Sequence, residues 1–346
     1  MCEQPEYRNG IYKKLKHSND KAHRMNVASP PKPTITLPAV LGRYELLELV
    51  GSGGIGQVFR ARNIQTNKVV ALKKLHDKYQ NDSKLLGLFH KEIMIHARVS
   101  HRHCVKYIEA DLTPGNAFIV TDFVDGINTY NLVRSHGALP PIIACAVVLD
   151  MLQGLEHLHC LDVIHSDLTP SNVLVSSTGL TLLVDFGLSC MPEVEDYQGI
   201  IVGTPGYQAP ERLEHDAMST FADIYCAGII FWEFLAGQRL FYGQTPHEIE
   251  GRMRKPLLDW IDTGDTNLNK SLRETLSLSL AFKPEKRFQT PRDFMYAVYQ
   301  CLKPFGITHT RRAILQWMSD LGITTNSPEK PIQKIYLSGR HPYKKG

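Results

Sequence analysis

The chain has 346 residues, 43% of them hydrophobic and 21% charged, a balance that excludes a fibrous or disordered chain and suits one large two-lobed unit or two ordinary domains. The formal net charge of +4 is unevenly spread: residues 1–40 carry a surplus of +4 and residues 303–346 a surplus of +6, which puts 41–302 at −6. Seven cysteines, odd in number and with no C-x-x-C pair, argue against a zinc site or a disulfide framework.

Residues 1–40 are polar and close with Pro30, Pro31, Pro33 and Pro38, which resist helix and ladder pairing alike, so this stretch reads as a disordered basic leader. From Tyr44 the texture turns to β. Leu46, Leu47, Leu49 and Val50, a glycine cluster at 51–56, Val58 and Phe59, and then Val69 to Leu72 predict strand, tight turn, strand and a third strand. Between Asp82 and Val99, Leu85, Leu88, Phe89 and Ile93 recur at helical spacing and predict one helix on this small sheet. Short strands are expected near Cys104–Ile108 and Ala117–Val120. Beyond Pro141 the pattern is mainly helical, with Ile143, Val147, Met151, Leu155 and Leu158 on one face. Ile314, Trp317, Met318 and Leu321 predict an amphipathic helix over 311–323, whose apolar face suits packing on the body first and docking on a partner second. No apolar run approaches the roughly 18–20 residues of a membrane helix, and the basic start has no apolar signal segment. A cytoplasmic location without a membrane span is expected.

Gly51-Ser52-Gly53-Gly54-Ile55-Gly56-Gln57-Val58 sets a G-x-G-x-x-G-x-V string between two strands. Glycines let the backbone approach phosphate oxygens and offer N–H groups to them. On these residues alone an ordinary glycine hairpin fits as well, while a dinucleotide fold would need a helix where a strand follows. Val70-Ala71-Leu72-Lys73 places an ammonium among apolar neighbours, so it needs a counter-charge, and Glu92 on the predicted helix is the candidate. Further along come Phe118 to Gly126, then Val163-Ile164-His165-Ser166-Asp167-Leu168-Thr169-Pro170-Ser171-Asn172-Val173-Leu174. Asp185-Phe186-Gly187, Gly203 to Glu211 with Ala209-Pro210-Glu211, Asp223 and Arg287 complete the series. In this order and spacing, from about Arg43 to Leu302, the chain resembles the protein kinase family of the eukaryotic serine/threonine type, which bacteria also carry.

The resemblance implies an α+β, bilobal fold, with a small antiparallel β-sheet lobe carrying helix C and a larger, mainly helical lobe. The domain would span 41–302, divided into 41–124 and 125–302, with a basic tail over 303–346. It implies ATP and magnesium as cofactors and protein hydroxyls as acceptors, with Asp167 as base and Lys73, paired with Glu92, holding the α and β phosphates. Gly51, Ser52, Gly53, Gly54, Ile55 and Gly56 would cradle the phosphates. Val58, Ala71 and Leu174 would sandwich the adenine, Thr121 would be the gatekeeper, and backbone groups around Asp122 and Val124 would bond the base. For Val58, Ala71, Thr121 and Leu174 a core role fits equally well on sequence. Asn172 and Asp185 would ligate the metal. Glu211, Asp223 and Arg287 take structural roles.

Two residues depart from the family pattern. Ser166 stands where an arginine usually reads a phosphorylated activation segment, and Thr169 where a lysine usually offsets charge on the transferring phosphate. Activity is therefore expected not to depend on Ser/Thr phosphorylation of that segment, which holds only Tyr197 among hydroxyl residues between Cys190 and Gly203. Thr204 tilts acceptor choice away from tyrosine. The alternative is a pseudokinase, an ATP-binding signalling scaffold with weak or no transfer. Nucleic acid is not expected as a partner, because the basic ends carry no recognition module.

Overall fold

The computed structural model describes residues 37–53, 55–113, 115–186, 206–213, 219–241, 246–254, 258, 261–307, 309–323 and 335–336. The chain divides into two compact units, Met1–Ala39 and Val40–Gly346. The leader expected over 1–40 lies outside the described residues except for its last four positions, and the fold is that of the second unit.

Three strands, β1 (Tyr44–Ser52), β2 (Gly56–Asn63) and β3 (Val69–Leu75), form an antiparallel meander. With β4 (Tyr107–Asp111) and β5 (Phe118–Asp122) it becomes a curled sheet in the order β1-β2-β3-β5-β4. Register follows side-chain alternation. Phe59, Leu72 and Val120 are opposite one another on one face and fully buried. On the other face, Val58, Lys73, Ala71 and Thr121 are half-buried and look into the cleft. The residues Ile335–Tyr336 pair in parallel with β1 at Gly51 and Ser52.

The predicted helix is α1 (Ser83–Arg98), started by Asp82, whose side chain accepts from the Lys84 and Leu85 N–H groups at 2.9 and 3.1 Å. Its buried face is Phe89, Glu92, Ile95 and His96, whereas Leu85, Leu88 and Ile93 are only half-buried. An inward glutamate with a cationic partner turns the helix away from the face its leucines alone would choose. The strand expected from Cys104 begins at Tyr107 instead. Cys104 bridges Leu183 and the Val105 N–H donates to the Leu183 carbonyl at 2.9 Å, so both residues belong to the larger lobe.

In the larger lobe, β6 (Gly126–Asn128) is followed by α2 (Thr129–His136) and α3 (Pro141–Cys160). β7 (Val173–Ser176) and β8 (Thr181–Leu183) join β6 in a second antiparallel sheet. Next come α4 (Pro210–Leu213), α5 (Thr220–Ala236), α6 (Pro246–Arg254), α7 (Thr266–Ser279), α8 (Pro291–Leu302) and α9 (Thr310–Asp320). Every residue of α5 from Ala222 to Leu235 is buried, as befits a helix apolar all round. Against expectation, one helix, α3, does meet the length and hydropathy of a membrane span. It is buried on nearly every side against α5, α8 and α9. α9 closes α3 with Ile314 and Met318, both buried. A small β lobe joined to a larger helical lobe is the bilobal α+β architecture that the resemblance implies.

Gly56 is held by sheet packing, because a Cβ there would sit 2.6 Å from the Lys74 carbonyl oxygen on the neighbouring strand. Gly56→Ala should therefore destabilise the fold by roughly 1–3 kcal/mol. Denaturant unfolding of the two proteins at equal slope measures this; unchanged stability would mean that the strands separate freely there.

Candidate active site

Three elements converge at the mouth between the lobes. β3 presents Lys73, α1 presents Glu92, and the segment after β8 presents Asp185. The Lys73 Nζ lies 2.7 and 2.9 Å from the Glu92 carboxylate oxygens and 2.7 Å from Asp185 Oδ1. Burial disfavours the Lys73 ammonium, but the pull of Asp185 and then Glu92 outweighs it and raises its pKa. Burial pushes the Glu92 carboxyl up, against the opposing pull of Lys73. Lys73 is thus a permanent cation. Asp185 is the most exposed of the three, at 32% against 16% and 2%, so the outer end of the ion-pair chain faces the cleft.

Asp167 and Asn172 sit together on the loop after α3. The Asn172 Nδ2 donates to the Asp167 backbone oxygen at 2.9 Å and to its carboxylate at 3.3 Å. With its nitrogen so engaged, the amide oxygen is left to face a cation. The Val184 N–H donates to the Asn172 carbonyl at 3.0 Å and ties this loop to Asp185. Ser166 and Asp185 both have left-handed backbones, with φ of +67° and +62°. Such conformations are sparsely populated away from glycine and cluster at functional sites.

Asp223, 1% exposed at the start of α5, holds the loop from below. Its carboxylate accepts the His165 N–H at 2.8 Å and the Ser166 N–H at 3.0 Å, and His159 Nε2 at 2.9 Å. Glu211 and Arg287 meet in a bidentate pair, 2.7 Å on each arm, while the guanidinium also donates to the Ala281, Phe221 and Phe282 carbonyls. All five guanidinium donors are used, which is what a buried arginine requires.

The residues expected around the adenine share one feature, partial exposure. Val58, Ala71, Thr121, Val124 and Leu174 are half-buried, while their neighbours Phe59, Leu72, Val120, Val173 and Val175 are buried. Asp122 pairs its side chain with Lys68 at 2.6 Å, and its N–H donates to the Lys106 carbonyl at 2.9 Å. Gly51 and Ser52 end β1, Gly56 begins β2, and Gly53 and Ile55 lie in the turn between them, with the Gly53 N–H bonded to the Gly56 carbonyl at 2.8 Å. Gly54, Gly187, Tyr197 and Thr204 lie outside the described residues.

Three histidines were missed. His76 Nε2 contacts the Gly53 carbonyl at 2.9 Å and braces the glycine turn. His159 is the extra partner of Asp223. His96, one turn after Glu92, packs on Phe186 with ring centroids 4.6 Å apart; Tyr107 stacks beyond it at 6.2 Å and His165 meets the far edge of Phe186 at 5.7 Å. The i, i+4 spacing from Glu92 to His96 was a usable signal, but a lone histidine among apolar residues has no distinguishing period.

Comparison with known proteins agrees with this geometry. The protein kinase domain family matches residues 44–299. A probable serine/threonine-protein kinase, CPE1738 of Clostridium perfringens, is 27% identical over 272 residues, covering 78% of this chain and 40% of the relative. Serine/threonine-protein kinase PknB of Mycobacterium leprae is 29% identical over 266 residues, 74% of this chain and 42% of the relative. PknA of Corynebacterium glutamicum is 27% identical over 270 residues, 74% and 55% respectively. The chain thus spans about 40–55% of the length of these relatives.

Proposed function

Since the chain belongs to the protein kinase family, we propose that it is a serine/threonine protein kinase that moves the γ-phosphoryl of magnesium-bound ATP onto protein hydroxyls. The observation that carries this reading is Lys73 held between Glu92 and Asp185 at 2.7 Å, a fixed cation at the cleft. The domain is taken as 41–302, with its lobes meeting at 124/125.

The donor set fits the substrate. Asp185 and the Asn172 amide offer hard oxygens of the kind magnesium takes, and the ion, bound with the triphosphate, would neutralise charge that develops on the phosphoryl group. Lys73 binds and orients phosphate oxygens. The turn from Gly51 to Gly56 covers them with backbone N–H groups. Val58, Ala71 and Leu174 enclose the base, Thr121 limits the depth of its slot, and backbone groups at Asp122 and Val124 bond its edge. Asp167 orients the acceptor hydroxyl and accepts its proton.

The two departures bear on rate and control. Thr169 is 4% exposed and brings no cation to the transferring phosphate, which favours a slow enzyme and keeps the pseudokinase as the second reading. Ser166 offers no guanidinium to a phosphorylated segment, so turnover should be independent of Ser/Thr phosphorylation there. One assay tests both statements. Phosphatase-treated protein given labelled ATP, magnesium and a generic protein acceptor should label serine and threonine, and EDTA should abolish the label. Labelling indifferent to chelation would sink the metal-assisted reading, and loss of turnover after phosphatase would sink the unswitched one.

A further inference from the structure

A cavity of about 460 Å³ lies between the loop after α1, the middle of α3 and the start of α9. None of its lining residues belongs to the candidate active site. Arg102, Arg311 and Arg312 bring three guanidinium groups to it from two separate segments, and His309 adds an imidazole. Arg102 and Arg312 make no ion pair among the described residues. The Arg311 Nε donates to the Thr178 carbonyl at 2.9 Å, which fixes the direction of its planar fork.

The floor is built, not incidental. His103, with a side chain 3% exposed, lines the cavity. Its Nδ1 lies 2.8 Å from the Thr181 carbonyl, an acceptor only, so that nitrogen carries the proton. Asp150 is buried beside it, and its carboxylate accepts the Thr310 hydroxyl at 2.8 Å and the Thr181 N–H at 3.4 Å. Burial pushes the Asp150 carboxyl up, against the opposing pull of His103 and the hydrogen bonds from Thr310 and Thr181. The 11-residue helix α9 begins here at His309 with no side-chain cap, so its first N–H groups also face this end.

We infer that this cavity is a second anion site, distinct from the transfer site, that takes a phosphoryl group. Guanidinium forks arriving from two segments match the tetrahedral oxygens of phosphate better than a single carboxylate, and an uncapped helix start adds backbone donors. The group could come free or on a phosphorylated side chain, and both have the same chemistry. Loop 99–104, which forms one wall through Arg102 and His103, directly follows the helix that carries Glu92.

The test is calorimetric titration of the full chain at constant ionic strength with inorganic phosphate, phosphoserine, a phosphoserine peptide, and glutamate as the carboxylate control. Saturable binding of a phosphorylated probe is expected, and the substitutions R102Q and R312Q together should weaken it at least about tenfold. Lys73→Met should leave it intact, which separates this site from the active site. Tighter binding of the peptide than of free phosphate would assign a protein-borne phosphoryl group, and the reverse a free one. The proposal is overturned by equal binding in the double variant, by equal affinity for glutamate, or by no saturable heat up to about 10 mM probe. Both arginines are exposed, so the double variant should keep its fold and its basal phosphoryl transfer at saturating Mg-ATP.

Discussion

Asp167→Asn should lower phosphoryl transfer by about 10²- to 10⁴-fold, the usual contribution of a positioned base, with nucleotide affinity largely unchanged. The substitution is isosteric, and the new amide can turn its oxygen toward the Asn172 Nδ2, keeping the contact now made at 3.3 Å. What disappears is the carboxylate that accepts the acceptor proton. Lys73, Glu92 and Asp185 stay in their ion-pair chain, so the ATP grip survives. Steady-state rates with a protein acceptor, measured beside a nucleotide binding isotherm, check both halves. Equal turnover in the two proteins would remove Asp167 from the chemistry and favour the scaffold reading.

Arg287→Ala should be the most damaging single change to stability. The guanidinium is fully buried, its Glu211 partner has an 8% exposed side chain, and three backbone carbonyls depend on the same group. Removing it strands a buried carboxylate, which typically costs 3–5 kcal/mol, and frees three carbonyls that water cannot readily reach. A fall in melting temperature on the order of 10 °C is expected for a lobe of this size. Scanning calorimetry measures it, and Glu211→Gln with Arg287 intact should cost less, because one arm of the pair survives on the amide oxygen and the three backbone carbonyls keep their donors, although the amide NH2 meets a guanidinium N–H on the other arm. Equal losses in the two variants would show that the charge itself, and not the donor network, holds this corner.

Much of the site was legible because its chemistry is written in short strings at set separations. Lys73, Glu92, Asp167, Asn172 and Asp185 lie on four segments; the fold joins Lys73, Glu92 and Asp185 in one ion-pair chain and sets Asn172 on Asp167. The strand-turn-strand start and the α1 helix were also readable, since period-2 and period-3.6 patterns report burial directly. Legibility failed where tertiary partners override periodicity. Glu92 turns α1 by drawing an acidic residue inward, and Cys104 leaves its strand because Leu183, far along the chain, claims it. α3 looked one-faced because only five of its positions were weighed, yet Ala144, Cys145, Val148 and Leu152 are buried too. His76 and His159 carry no sequence signal, because each acts through a contact with a residue far along the chain.

The ring column of Tyr107, His96, Phe186 and His165 runs from the sheet lobe, through α1, to the catalytic loop. Burial, then the nearby Lys73 charge, hold the His96 pKa at about 3, so this member stays uncharged throughout the range in which living cells keep their acidity. A histidine that would ordinarily serve as a proton gauge is here a plain aromatic spacer. The stacking contact it makes with Phe186, between the two halves of the molecule, therefore does not depend on the imidazole taking up a proton.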